Sequence, residues 1–246
     1  MAGRKCIFCG TPHALTREHV LPVWLQEYVG GDEPGEFRGT RANFFGMPLD
    51  ERKASPNSHT LKVVCGECNN GWMSRLEVAF SAILPRLEMD INPRRFSKTE
   101  RATIAKWIVK TGIIAHLSSN YRRILPETFP ISLSRGQAIP GRVRVFGGNV
   151  AESKSIRWIQ SNLASTVLSR SDLASFDPLK DSFVFILSIR KVFLGFGWHD
   201  LNRNAMNLSL NDSSLHQFYP RPQPAQISKV FDDLQMASFG LSLSPR

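Results

Sequence analysis

"CGECNNGWM", residues 65–73, sets two cysteines three positions apart and follows them at once with two asparagines, a glycine and a tryptophan. A second pair of the same spacing stands in "CIFCG" at residues 6–10, and these four are all the cysteines of the 246-residue chain. Two intervening residues let both thiolates of a knuckle point at one ion, and two knuckles complete a tetrahedral zinc site. The spacing therefore predicts a structural zinc on Cys6, Cys9, Cys65 and Cys68. Protein sulfur fills all four positions, so no water or substrate can reach that ion. Its task is to staple the first knuckle to the second and to contribute folding free energy. The chemistry then lies elsewhere.

Between the knuckles runs "LTREHVLP", residues 15–22. Glu18 and His19 are adjacent, so a regular strand would send their side chains to opposite faces. At a bent strand end both can line one cleft, and the staple delivers Asn69, the residue after the last cysteine, against them. A carboxylate with a carboxamide oxygen suits a hard divalent ion such as Mg²⁺ or Mn²⁺. An imidazole beside it can take a proton from water. On the residues alone, Glu18 and His19 also read as a surface ion pair, and Asn69 as a helix N-cap.

Taken together, C-x2-C, then E-H-x-x-P, then C-x2-C-N leading into a helix resembles the HNH (His-Me finger) endonuclease family in its four-cysteine zinc form. The resemblance covers roughly residues 5–80. It implies an N-terminal ββα-metal domain with His19 as general base, Glu18 and Asn69 as ligands of a catalytic divalent ion, and the four cysteines on zinc. The activity it implies is metal-dependent hydrolysis of DNA, or RNA, phosphodiester bonds, in defence, restriction or a mobile element. Arg17 and Arg75 stand where either can clamp a phosphate, whereas His59, Trp24 and Trp72 read as structural. Two other readings compete: a non-catalytic zinc-knuckle module that binds nucleic acid, and a zinc-stapled interaction protein.

The rest of the chain sets the context. At 42% hydrophobic and 21% charged it has an ordinary globular composition. It has no apolar run of the roughly 18 residues a membrane span needs. The N-terminus lacks an apolar signal core, so a cytoplasmic setting is expected, where thiols favour metal over disulfides. Residues 30–60, rich in Gly, Pro, Asp and Ser, read as a long internal loop. The expected class is α+β, with a nuclease-like domain over 1–92 and a mixed helical and β-rich domain over 93–246.

In the second part, "SKTE" at 97–100 has the form of a capping box opening a helix with Ile104, Trp107, Ile108, Thr111, Ile114 and Ala115 on one stripe. Residues 142–148 read as a strand and 152–166 as a helix. Residues 182–199 read as β structure with a bend or bulge at Gly195 and Gly197. The net charge of +10 falls mostly after residue 96. Lys98, Arg101, Lys106 and Lys110 on the first helix, and Arg135, Arg142, Arg144, Lys154 and Arg157 beyond it, read as cations that track a phosphate backbone. A homodimer or a regulatory protein partner is equally compatible with such a surface.

Overall fold

The computed structural model describes residues 4–30, 37–42, 48–54, 59–119, 124–136, 139, 142–154, 156–162, 181–199, 206–210, 212–232 and 241–245. The class is α+β with mainly antiparallel sheets. Strand β1 (Leu15–His19) pairs antiparallel with β4 (Thr60–Cys65), and helix α1 (Val23–Gly30) leaves β1 just past Pro22. Pro22 lies three residues past the strand, where its fixed φ starts the turn into α1.

The expected loop over residues 30–60 contains β2 (Phe37–Ala42) and β3 (Pro48–Ala54), paired as an antiparallel hairpin. Strand β2 also runs parallel to β6 (Ile156–Ser161), with Phe37 opposite Ile156. The hairpin thus extends the sheet of the second half, which composition alone does not reveal. The helix expected over 152–166 is corrected by the same pairing. Residues 156–161 form a strand because two neighbouring strands take their backbone groups, β2 on one side and β7 (Ser182–Ile189) on the other.

The centre of that sheet is the hairpin of β7 and β8 (Val192–His199), all sixteen of whose residues are buried. Strands β5 (Val143–Val150) and β10 (His216–Tyr219) complete one edge. The full order is β10-β5-β8-β7-β6-β2-β3, with β11 (Val230–Phe231) added parallel to β5. Strands β9 (Met206–Leu210) and β12 (Leu241–Pro245) form a separate pair. No bend occurs at Gly195 or Gly197, which keep regular register with β5 and β7. Gly195 instead makes room for the Phe146 ring, 2.8 Å from where a Cβ would sit.

Packed against the sheet is α4 (Lys98–Ser118). Its N-terminus carries the expected capping box. Ser97 Oγ accepts from the Glu100 N–H at 3.2 Å, and the Glu100 carboxylate accepts from the Ser97 N–H at 2.7 Å. The predicted stripe is buried, but so is every residue from Trp107 to His116. The helix therefore crosses the interior, covered by the sheet on one side and by α3 (Ser74–Met89) on another. At Gly112 a Cβ would stand 2.4 Å from Phe196 and 2.7 Å from Phe185, so only glycine allows this approach.

Burial changes the meaning of several cations expected to track phosphate. Lys110 is 1% exposed. Arg101 donates to the carbonyls of Phe96 and Pro93, and Arg144 donates to Gln217 Oε1. These three hold the fold together. Lys98, Arg135 and Lys154 are exposed. Among the described residues no helix is long and apolar enough to cross a membrane.

Candidate active site

The two knuckles meet. One sulfur from each of Cys6, Cys9, Cys65 and Cys68 falls within a group whose members all lie within 4.8 Å of one another. Cys9 Sγ and Cys65 Sγ are 3.8 Å apart. A tetrahedron with Zn–S near 2.3 Å has an edge of about 3.8 Å. The cluster therefore has the dimensions and donor type of a structural zinc site. Cys6, Cys65 and Cys68 are buried and Cys9 is half-buried.

The local environment prepares the thiols unequally. Burial opposes ionisation of Cys9. Donation from the Thr11 hydroxyl and backbone, with help from Cys6 and Cys65, still brings it down to about 7. Burial pushes the Cys65 and Cys68 thiols up, as expected for sulfurs that ionise only with a cation between them. The buried Trp72 indole N–H has no hydrogen-bond partner among the described residues, and its positive end near the Cys68 thiol favours the anion. The Trp72 ring packs edge-on against Phe8 at 5.1 Å, a packing role rather than a platform for a base.

From the second knuckle the chain does not enter a regular helix at Asn69. A single turn, α2 (Gly66–Cys68), is capped by Cys65, and Asn69–Met73 then form a π-turn with Gly71 at φ −90°, ψ −107°. Helix α3 starts at Ser74. Asn69 is thus no N-cap; it sits in a widened turn, a feature often found at functional sites. On α3, Phe80, Ile83, Leu84 and Leu87 face inward, and Val78 is 69% exposed.

On the facing strand the register slips between Thr16 and Glu18, which pair with Val64 and Leu61. Such an irregularity re-aims side chains. Glu18 and His19, adjacent in sequence, both line one cleft of about 410 Å³ together with Arg17 and Asn69. Asn69 Nδ2 donates to Thr16 Oγ1 at 3.3 Å, and the Asn69 side chain favours the ionised form of the Glu18 carboxyl. That leaves the carboxamide oxygen as the end of Asn69 that a cation would meet. Burial pushes the Glu18 carboxyl up. The nearby Lys110 charge and the Asn69 side chain pull it down, and Glu77 pushes it up again.

Arg75 is exposed and does not line the cleft. His59 lies outside it too; its ring stands edge-on to Trp158 at 5.7 Å, and its carbonyl accepts from the Val20 N–H, in keeping with a structural role. Trp24 lines the cleft and also packs on the core, tilted against Phe80 and Trp107.

One part of the site was missed by sequence reading. Glu77, on the cleft wall, receives the Trp24 and Trp107 indole N–H groups on Oε2 at 2.9 and 2.7 Å, and the Lys110 ammonium on Oε1. The available signal was a lysine inside the apolar run "WIVKTGIIA" at 107–115, where an unpaired charge would be very costly. Compared with family models, with curated proteins and with solved structures, the chain matches none.

Proposed function

We propose that the chain is a metal-dependent endonuclease of HNH type, hydrolysing DNA phosphodiester bonds at the cleft of Glu18, His19 and Asn69. What carries the reading is one convergence. The cysteine cluster holds the start of the second helical segment against a strand whose register slip turns two adjacent residues into the same cleft. A pure binding module has no need of a carboxylate, an imidazole and a carboxamide gathered in this way. The order of antiparallel strand pair followed by helix agrees with the ββα arrangement that the sequence resemblance implies.

Glu18 and Asn69 would hold the divalent ion, a hard-oxygen donor set open to water, as Mg²⁺ and Mn²⁺ require. When bound, such an ion stabilises charge on the phosphate and on the departing oxygen. His19, half-buried at the cleft wall, takes a proton from a water molecule. The water oxygen bonds to phosphorus as the bond to the 3′-oxygen breaks, leaving a 5′-phosphate and a 3′-hydroxyl. Arg17, exposed beside the pair, is placed to meet a neighbouring phosphate. Structural zinc remains in the closed cysteine site and takes no part in the reaction.

The test incubates wild type and His19→Ala with supercoiled plasmid in Mg²⁺, Mn²⁺ or EDTA and follows nicking over time. Metal-dependent cutting should appear in wild type and fall by about 10²–10⁴-fold in the variant. Salt-sensitive DNA retention with no cutting by either protein transfers the reading to the non-catalytic module.

A further inference from the structure

Charge inside an apolar helix needs a reason. Lys110 is 1% exposed on the central helix α4, and its ammonium donates to Glu77 Oε1. The Lys110 side chain is buried at 2% exposure and that of Glu77 is half-buried at 14%. Replacing a buried ion pair by apolar groups of similar volume is often neutral or stabilising, so stability alone does not account for its presence.

The orientation of the pair is informative. Glu77 lines the cleft with Glu18 and Asn69, whereas Lys110 stands behind it and does not. The carboxylate is also fixed: two indole N–H groups hold Oε2 and the ammonium holds Oε1, so it has little freedom to swing toward a ligand. Trp24 comes from α1, Glu77 from α3, and Trp107 and Lys110 from α4. Three helices are tied to one carboxylate, and Trp107 stacks on Phe80 at 3.8 Å and 9° to lock the arrangement.

We propose that Glu77 and Lys110 are positioning residues of the cleft, which present the negative end of a buried ion pair to a divalent cation held by Glu18 and Asn69. This rests on the endonuclease reading above. Glu77 acts through space: the three donors hold its carboxylate toward the helices α1 and α4 rather than toward the ion. A fixed negative charge set in a protein wall attracts a dication more than the same charge does in bulk water.

The test compares wild type, Glu77→Gln/Lys110→Met and Glu77→Asp. Mn²⁺ binding is measured directly from the free-ion electron paramagnetic resonance signal, alongside plasmid nicking, zinc content and thermal melting. The double variant keeps the shape of the pair, and the amide oxygen that replaces the carboxylate still accepts from both indoles, so zinc content and melting should hold. Its Mn²⁺ affinity should fall by about tenfold, because the ion loses the nearer, negative end of a pair whose farther, positive end already cancels most of a unit charge's attraction. Glu77→Asp, which keeps the charge, should stay within about threefold of wild type. A folded double variant that binds Mn²⁺ as tightly as wild type overturns the inference while leaving the endonuclease reading intact. Wild type that neither binds Mn²⁺ nor cuts overturns both. Should the double variant lose its fold, Glu77→Gln/Lys110→Gln, which removes both charges and leaves each amide a polar partner in the other, carries the same expected loss, and an unchanged affinity there is equally decisive against the inference.

Discussion

Cys9 Sγ lies 3.8 Å from Cys65 Sγ, although 56 positions separate the two residues in the chain. Strands β1 and β4 pair between these anchors, and the hairpin β2–β3 leaves from the same interval to join the large sheet. The cysteine cluster therefore closes a loop that carries one wall of the cleft and part of the main sheet's edge.

Removing the metal should act first on the cleft and its neighbours. Apparent zinc-binding energies of about 10–16 kcal/mol in finger peptides set the upper scale for such a site. Cys65→Ser should lose stoichiometric zinc and melt at a markedly lower temperature, by metal analysis and circular dichroism. A variant that retains one zinc per chain with an unchanged melting curve would refute the four-cysteine assignment.

The ion pair makes a separate prediction about stability. Lys110→Met alone leaves Glu77 without its cation, which typically costs about 3–5 kcal/mol. Glu77→Gln/Lys110→Met should recover most of that loss. Urea unfolding of both variants and of wild type checks the expectation, with the single variant the least stable of the three.

What could be read from sequence was set by local chemistry. Cysteine spacing pointed to the zinc cluster, and the capping box to the start of α4, because both signals involve residues within a few positions of one another. The meeting of Glu18, His19 and Asn69 was legible only through the staple, since nothing local brings residue 69 to residue 18. Long-range pairing hid the rest. Strand β2 is stabilised by β6, over a hundred residues away in sequence, and its own Gly-rich surroundings read as loop. Lys110 on α4 was read as a cation that tracks a phosphate backbone, yet it is covered, because α3 packs on α4 and brings Glu77 to its ammonium.

Gly112 offers a sharp test of how α4 meets the sheet. A methyl group there would overlap Phe196 and Phe185 at 2.4–2.9 Å, and both rings are fully buried with nowhere to retreat. Overpacking of this kind costs typically about 1–3 kcal/mol. Gly112→Ala should lower the urea midpoint with an unchanged slope. An unaltered midpoint would mean that α4 stands further from β7 and β8.

Acid should weaken the sheet through its histidines. His199, 1% exposed at the end of β8, is pushed down to about 4 by burial and by the charge of Arg142. Burial also lowers His216, with Asp90 opposing, and its Nδ1 accepts from the Ala225 N–H, an acceptor role that only the neutral ring can play. An unfolded histidine titrates near 6.5, so between pH 6.5 and 4 the unfolded chain binds protons that the folded chain refuses. Stability is therefore fully present above about pH 6.5 and is lost as the pH falls toward 4, by about 3 kcal/mol for His199 at full effect. Unfolding free energies measured by urea at pH 7.5 and pH 5 should differ in that direction. In His199→Gln, which cannot take up the proton, the difference should shrink by about half or more, and an identical pH slope in both proteins would show that His199 is not held neutral by the fold.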